Sequence, residues 1–165
     1  MSAFDEPPVD DPSQRRLPPL LRRAWYSLNQ AFRRRIAHLK ITPDQFTVLR
    51  WLHEREGEPV TQRQLADLMS SDPNTVTSVL NRMEAAGLIE RRAHHTDRRA
   101  KLVYLQPVSR AVYEEARGIA CELQGRILEA LPATERGRFL EQLELIADAA
   151  NAEADASLGR PRGED

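Results

Sequence analysis

A mainly α-helical fold carrying one small β-hairpin is the class that this sequence predicts, and three observations predict it. Apolar residues recur at helical spacing through most of residues 17 to 156. Several of these stretches open on a cap residue followed by Pro or by Gln three positions on. Only one pair of runs, LIERR and KLVYL, is rich in the Ile, Val and Tyr that favour strands. At 165 residues and 41% hydrophobic, the chain is long enough for one domain with a real core, or for a small lobe with helical extensions.

Residues 1 to 14 and the tail 157 to 165 hold almost nothing apolar to bury and read as a disordered leader and tail. Between them, residues 15 to 156 read as a single domain. From about 17 to 40, Leu20, Leu21, Ala24, Trp25, Leu28, Ala31, Phe32 and Ile36 mark one long amphipathic helix with arginines between them. A second helix starts at Thr42 as N-cap, with Pro43 at the first position and Gln45 closing a capping box, and runs to Gly57 as a stop. Thr61 and Gln64 repeat the device. After a tight break at Ser70 and Ser71, Asp72 caps a further helix that begins with Pro73 and ends before Gly87. LIERR and KLVYL then form a hairpin whose long tip is AHHTDRRA. Helical periodicity returns over 107 to 131 through Val112, Ala116, Ile119, Leu123 and Ile127, and over 133 to 156 through Phe139, Leu143, Ile146 and Ala150.

Composition excludes several classes. No apolar run approaches the length of a membrane span, and the acidic, proline-rich N-terminus is unlike a signal peptide, so no membrane partner and a cytoplasmic location are expected. The lone Cys121 fits a reducing compartment and precludes an internal disulfide. No nucleophile motif, P-loop or Gly-rich dinucleotide loop is present, so neither catalysis nor a cofactor is expected. The net charge of -1 conceals an uneven distribution, since residues 15 to 101 hold 17 Arg or Lys against 9 Asp or Glu. The stretch RRAHHTDRRAK alone holds five basic side chains and one carboxylate. That segment has the charge to face a polyanion.

On the helix after Asp72, Val76, Val79, Leu80 and Met83 form the stripe expected to be buried. The opposite face carries Asn74, Ser78 and Asn81, flanked by Thr77 and Arg82, where an ordinary solvated helix would carry Glu and Lys. Short amides and hydroxyls beside an arginine suit base edges and phosphates. The helix N-terminus is expected to add free backbone N–H groups and a positive dipole end. A short helix, a tight break, this helix and a basic hairpin together make a helix-turn-helix followed by a wing, spanning about 42 to 106. The hairpin tip would then reach a minor groove.

LADLMSSDPNTVTSVLNRMEAAGLIERR, followed by DRRAKLVYL, resembles the helix-turn-helix and wing of the MarR transcriptional regulators, and the flanking helices fit that family's layout from about 17 to 155. The resemblance implies sequence-specific binding of double-stranded DNA by an obligate homodimer, with dimerisation helices at about 15 to 40 and 107 to 156. It also implies roles for Asp97 and Arg99, which match the family's D-x-R wing motif: the arginine enters the minor groove and the carboxylate braces it. Thr61, Gln62 and Thr75 on the helix-turn-helix, and Arg98 and Lys101 on the wing, join the expected DNA-contacting set. Gln106-Pro107 departs from the family's usual Thr-Pro, which weakens a cap and touches no DNA-contacting position. Independently, the long outer helices carry apolar stripes that a second copy would bury symmetrically.

The expected function is a repressor that binds a pseudopalindromic operator and is released by a small-molecule effector. The rival is a winged helix that contacts an acidic protein partner and no specific DNA. Trp25, Tyr26 and His53 admit two roles, core packing or the walls of an effector pocket. Adjacent His94 and His95 lack the spaced further ligands of a zinc site and read as solvated loop residues, so no metal is expected. Cys121, in mid-helix beside Ile119 and Ala120, is expected to be a buried small residue.

Overall fold

The computed structural model describes residues 15–55, 58, 60–94, 96 and 100–157. The chain divides into two compact units, with the break between Cys121 and Glu122. In the first unit the helices are α1 (Leu17–Arg35), α2 (Pro43–Glu54), α3 (Gln62–Leu68), α4 (Pro73–Ala85) and the start of α5 (Val108–Leu128); the strands are β1 (Val60–Thr61), β2 (Ile89–Ala93) and β3 (Lys101–Leu105). The second unit holds the end of α5 and α6 (Arg136–Ser157). Ser157, expected in the tail, is the last helical residue, and its hydroxyl donates to the Glu153 carbonyl.

The first helix is shorter than its periodicity suggests. It ends at Arg35, a single 3-10 turn follows over Ala37–Leu39, and Lys40 takes a left-handed conformation. Ile36 and Ile41 explain the break, because both are buried, whereas five residues along a continuous α-helix they would lie about 140° apart. Tightening the turn lets both reach the core.

Local chemistry then sets each start and stop. Thr42 and Gln45 form the expected capping box, with the Thr42 N–H donating to Gln45 Oε1 at 2.9 Å and the Gln45 N–H to Thr42 Oγ1 at 3.3 Å. Thr61 and Gln64 do the same for α3 at 2.8 and 3.2 Å. Gly57, the expected stop of α2, lies outside the described residues. The break after α3 is a Schellman turn: Ser70 sits at φ 47°, its N–H donates to Asp67 O, and the Ser71 N–H donates to Ala66 O. Gly87, at φ 70°, ends α4 in the same way.

Val76, Val79, Leu80 and Met83 are fully buried, as their spacing requires. They share the core with Val48 and Leu49 of α2, Leu65 of α3, and Leu102 and Val103 of β3. The sheet is antiparallel in the order β1-β3-β2, with Arg91 opposite Val103 and Ala93 opposite Lys101. The two-residue β1 was not legible beforehand; its Val60 pairs with Val103 across β3. Helix-turn-helix and hairpin therefore form one winged-helix lobe. Among the described residues, no helix is long and apolar enough to cross a membrane.

Candidate nucleic-acid interface

The outward face of α4 is the centre of the candidate site. Asn74, Thr75, Ser78, Asn81 and Arg82 are exposed and Thr77 is half-buried, so the residues expected on this face are on it. Their hydrogen bonds divide them. Asp72 Oδ1 accepts from the Asn74 N–H at 3.0 Å and the Thr75 N–H at 2.9 Å, and the Thr75 hydroxyl donates to Asp72 Oδ2. Thr77 Oγ1 donates to Pro73 O at 2.7 Å and accepts from Gln62 Nε2 at 2.5 Å. Thr61 Oγ1 donates to Gln64 Oε1 at 2.9 Å. The hydroxyls of Thr61, Thr75 and Thr77 thus serve the architecture of the two helices.

Free N–H groups at the start of α4 were expected, and the structure corrects this. Pro73 has no N–H, Asn74 and Thr75 donate to the cap carboxylate, and the Val76 N–H donates to Asp72 O at 3.1 Å. An acidic cap both satisfies these donors and neutralises the dipole end.

The basic cluster is likewise only partly available. Arg91, whose side chain is 12% exposed, lays its guanidinium on Glu84 of α4, with Nε at 3.0 Å and Nη2 at 2.6 Å from Oε2, while its backbone N–H donates to Oε1 at 3.0 Å. Nη2 also donates to Asn81 Oδ1 at 2.7 Å. Arg92 pairs with Glu90 through Nε–Oε1 and Nη2–Oε2, each 3.0 Å, and lies 4.7 Å over the Tyr104 ring, its diagonal cross-strand neighbour. Two of the five basic side chains are therefore already engaged, Arg91 tying the wing to α4 and Arg92 lying within the hairpin. Lys101 is exposed at the start of β3. Asp97, Arg98, Arg99 and His95 lie outside the described residues. His94 Nδ1 lies 3.2 Å from the Thr96 hydroxyl, and no cluster of metal-ligating side chains occurs among the described residues.

These ion pairs carry a pH signature. The Arg91 hydrogen bonds hold the Glu84 carboxyl below its ordinary value of 4.5, the Arg92 hydrogen bonds do the same for Glu90, and the Thr75 bonds lower Asp72. A carboxyl lowered in the folded state adds stability above its unfolded value and loses it as pH falls through the folded one. Melting temperature should therefore hold from neutral pH down to about 4.5 and fall below it. Glu84→Gln should flatten that acid limb, which calorimetry over a pH series would show; an unchanged limb would remove the pair from the account.

The remaining expectations fall elsewhere. His53 stacks on Tyr113 with centroids 4.2 Å apart and lines a cleft of about 280 Å³ with Leu105, Gln106, Pro107, Ser109 and Arg110. Trp25 and Tyr26 do not line it and are 64% and 59% exposed. The reason is length: α1 meets α2 through Phe32, edge-on to Phe46 at 5.0 Å, and Trp25 lies about 10 Å further up the helix. Core packing within this chain is therefore not the role of Trp25 or Tyr26. Cys121 is exposed, not buried, because it falls about 140° round α5 from the buried Ala116. Gln106 reaches Glu90 Oε2 at 3.1 Å, and its carbonyl accepts from both the N–H and the hydroxyl of Ser109, so α5 is anchored without a Thr cap. The Glu84–Arg91–Asn81 cluster had no sequence signal beyond the presence of opposite charges.

A family model described as the MarR family matches residues 41–101. The HTH-type transcriptional regulator TtmR of Methylorubrum extorquens (strain PA1) is 27% identical over 131 residues, which is 79% of this chain and 65% of TtmR. The chain thus spans just under two thirds of that relative's length. Among solved structures, a probable transcriptional regulator from Pseudomonas aeruginosa is 30% identical, with a TM-score of 0.72 over 84% of this chain and 99% of the other. BpsR of Bordetella bronchiseptica, whose DNA binding is regulated by 6-hydroxynicotinic acid, is 29% identical, with a TM-score of 0.74 over 86% and 99%.

Proposed function

We propose, from the premise that this chain belongs to the MarR family of DNA-binding transcriptional regulators, that it is a ligand-responsive repressor which binds a pseudopalindromic operator as a homodimer. The observation that carries the reading is the division of α4: four core residues are fully buried on one side, while Asn74, Ser78, Asn81 and Arg82 are exposed on the other. Such a face offers amide, hydroxyl and guanidinium groups to a major groove. Arg98, Arg99 and Lys101 would serve the neighbouring minor groove and backbone.

Exposed apolar surface supports the homodimer. Leu17, Leu20, Leu21, Trp25 and Leu28 of α1 and Phe139, Leu143 and Ile146 of α6 are all exposed, and α6 buries no residue at all in the single chain. A second copy would cover this surface symmetrically. The ligand response rests on the likeness to BpsR and on the cleft beside His53 at the start of α5. Selection of bound sequences from a random duplex pool tests the whole reading: one symmetric site should emerge, and organic acids can then be screened for its release. A pool that stays random would overturn it.

The wing makes a sharper test. Arg99→Ala should weaken operator binding by about 1 kcal/mol or more with the fold intact. Asp97→Ala should also weaken it if the carboxylate holds the arginine, although deleting a negative charge near phosphates should otherwise strengthen attraction. The double mutant should lose little more than Arg99→Ala alone. Titrations on a matched duplex at fixed salt would show this, and tighter binding by Asp97→Ala would refute the brace.

A further inference from the structure

Asn81 stands on the exposed face of α4, yet its side chain is not at liberty to rotate. Arg91 reaches it from β2, and the orientation of the contact is chemically forced: a guanidinium has donors only, so Asn81 must turn its carbonyl toward it. Arg91 is in turn fixed by two hydrogen bonds to Glu84, three residues along the same helix, and by its own backbone N–H on that carboxylate. The side chain of Arg91 is largely buried, and its bond to Asn81 lies where the clamp meets the exposed face of α4.

We infer that Arg91 is a positioning residue which locks Asn81 as a hydrogen-bond donor, so that this position of α4 selects guanine over adenine. The inference rests on α4 being the base-reading helix. With Oδ1 held by Arg91, the exposed group of Asn81 is the Nδ2 amide. Guanine presents two neighbouring acceptors, O6 and N7, in the major groove. Adenine presents N7 beside the N6 amino group, and reading both requires an asparagine whose carbonyl and amide lie together against the base. The hydrogen bond from Nη2 takes one of that carbonyl's two lone pairs and holds it toward Arg91, so the side chain cannot turn freely to lay both groups on one base. A free asparagine prefers adenine; one held in this way does not.

The test is selection from a random duplex pool, followed by competitive titration of operators differing by guanine or adenine at the position that Asn81→Ala makes indifferent. The full-length protein should prefer guanine at that position by about tenfold. Arg91→Met, which keeps an apolar stem and removes every donor, should lower the ratio to about threefold or less, or shift it toward adenine, with a loss of discrimination larger than any change in affinity for random duplex. Adding Arg91→Met to Asn81→Ala should change the ratio no further, since Arg91 acts through Asn81. Arg91→Lys, which restores a donor, should recover part of the preference. If Arg91→Met does not fold, Glu84→Gln loosens the same clamp and should lower the same ratio. An unchanged ratio in the folded Arg91 variant, or in Glu84→Gln where it stands in, overturns the inference, and so does an equal loss on operator and random duplex or an adenine preference in the unaltered protein. Failure of the unaltered protein to select any sequence would instead remove the base-reading role of α4 itself.

Discussion

Inserting five base pairs between the half-sites of the selected operator should lower affinity by about a hundredfold or more, toward that for random duplex. Two copies of α4 in a symmetric dimer can enter successive major grooves on one side of the duplex only if the half-site centres lie one turn, about 34 Å, apart. Half a turn of extra DNA moves the second half-site to the far side and lengthens the spacing by about 17 Å. Bending the duplex to restore contact costs several kcal/mol, because the face offered by Asn74, Ser78 and Asn81 is fixed to the fully buried stripe of Val76, Val79, Leu80 and Met83. Titration of the native and spaced duplexes at one salt concentration measures the loss. Unchanged affinity would mean that one lobe suffices for binding.

Leu80→Ala should cost about 2–5 kcal/mol of folding stability, the range for a leucine in a packed interior. Leu80 is fully buried on the inner stripe of α4, beside Val76, Val79 and Met83. Removing it opens a cavity under α4 that packed neighbours in α2, α3 and β3 can fill only in part. Urea unfolding gives the value. Ser78→Ala, two residues away on the exposed face, should stay within about 0.5 kcal/mol and so serves as the control. A loss below 1 kcal/mol for Leu80→Ala would mean that the helix is less firmly seated than its burial implies.

The contrast between these two positions was legible in the sequence, because a helical period assigns each residue a direction as soon as the helix has a start and a stop. The caps at Thr42, Thr61 and Asp72 act within three residues of themselves, so their hydrogen bonds follow from spacing alone. The same holds for the turn at Ser70, whereas the hairpin after Gly87 was marked by the composition of its two runs. Where a helix bends was less legible. The periodicity of α1 continues past Arg35, and only the joint burial of Ile36 and Ile41 shows why the helix gives way there. Cys121 failed for a related reason: its apolar neighbours in the sequence lie on other faces of α5, and proximity along a chain is not proximity in a core.

What the sequence by itself determined, then, was what local spacing and composition carry: the helix starts, the two strand-forming runs of the hairpin, the buried stripe of α4 and the chemical character of its exposed face. The tertiary structure alone decided which polar groups remain available. Arg91 and Asn81 are ten residues apart and belong to different elements, and nothing in either neighbourhood reveals that one holds the other. Charge counts add every arginine alike, but the guanidinium satisfied by Glu84 is committed to the lobe, and only the packing of β2 against α4 makes that commitment.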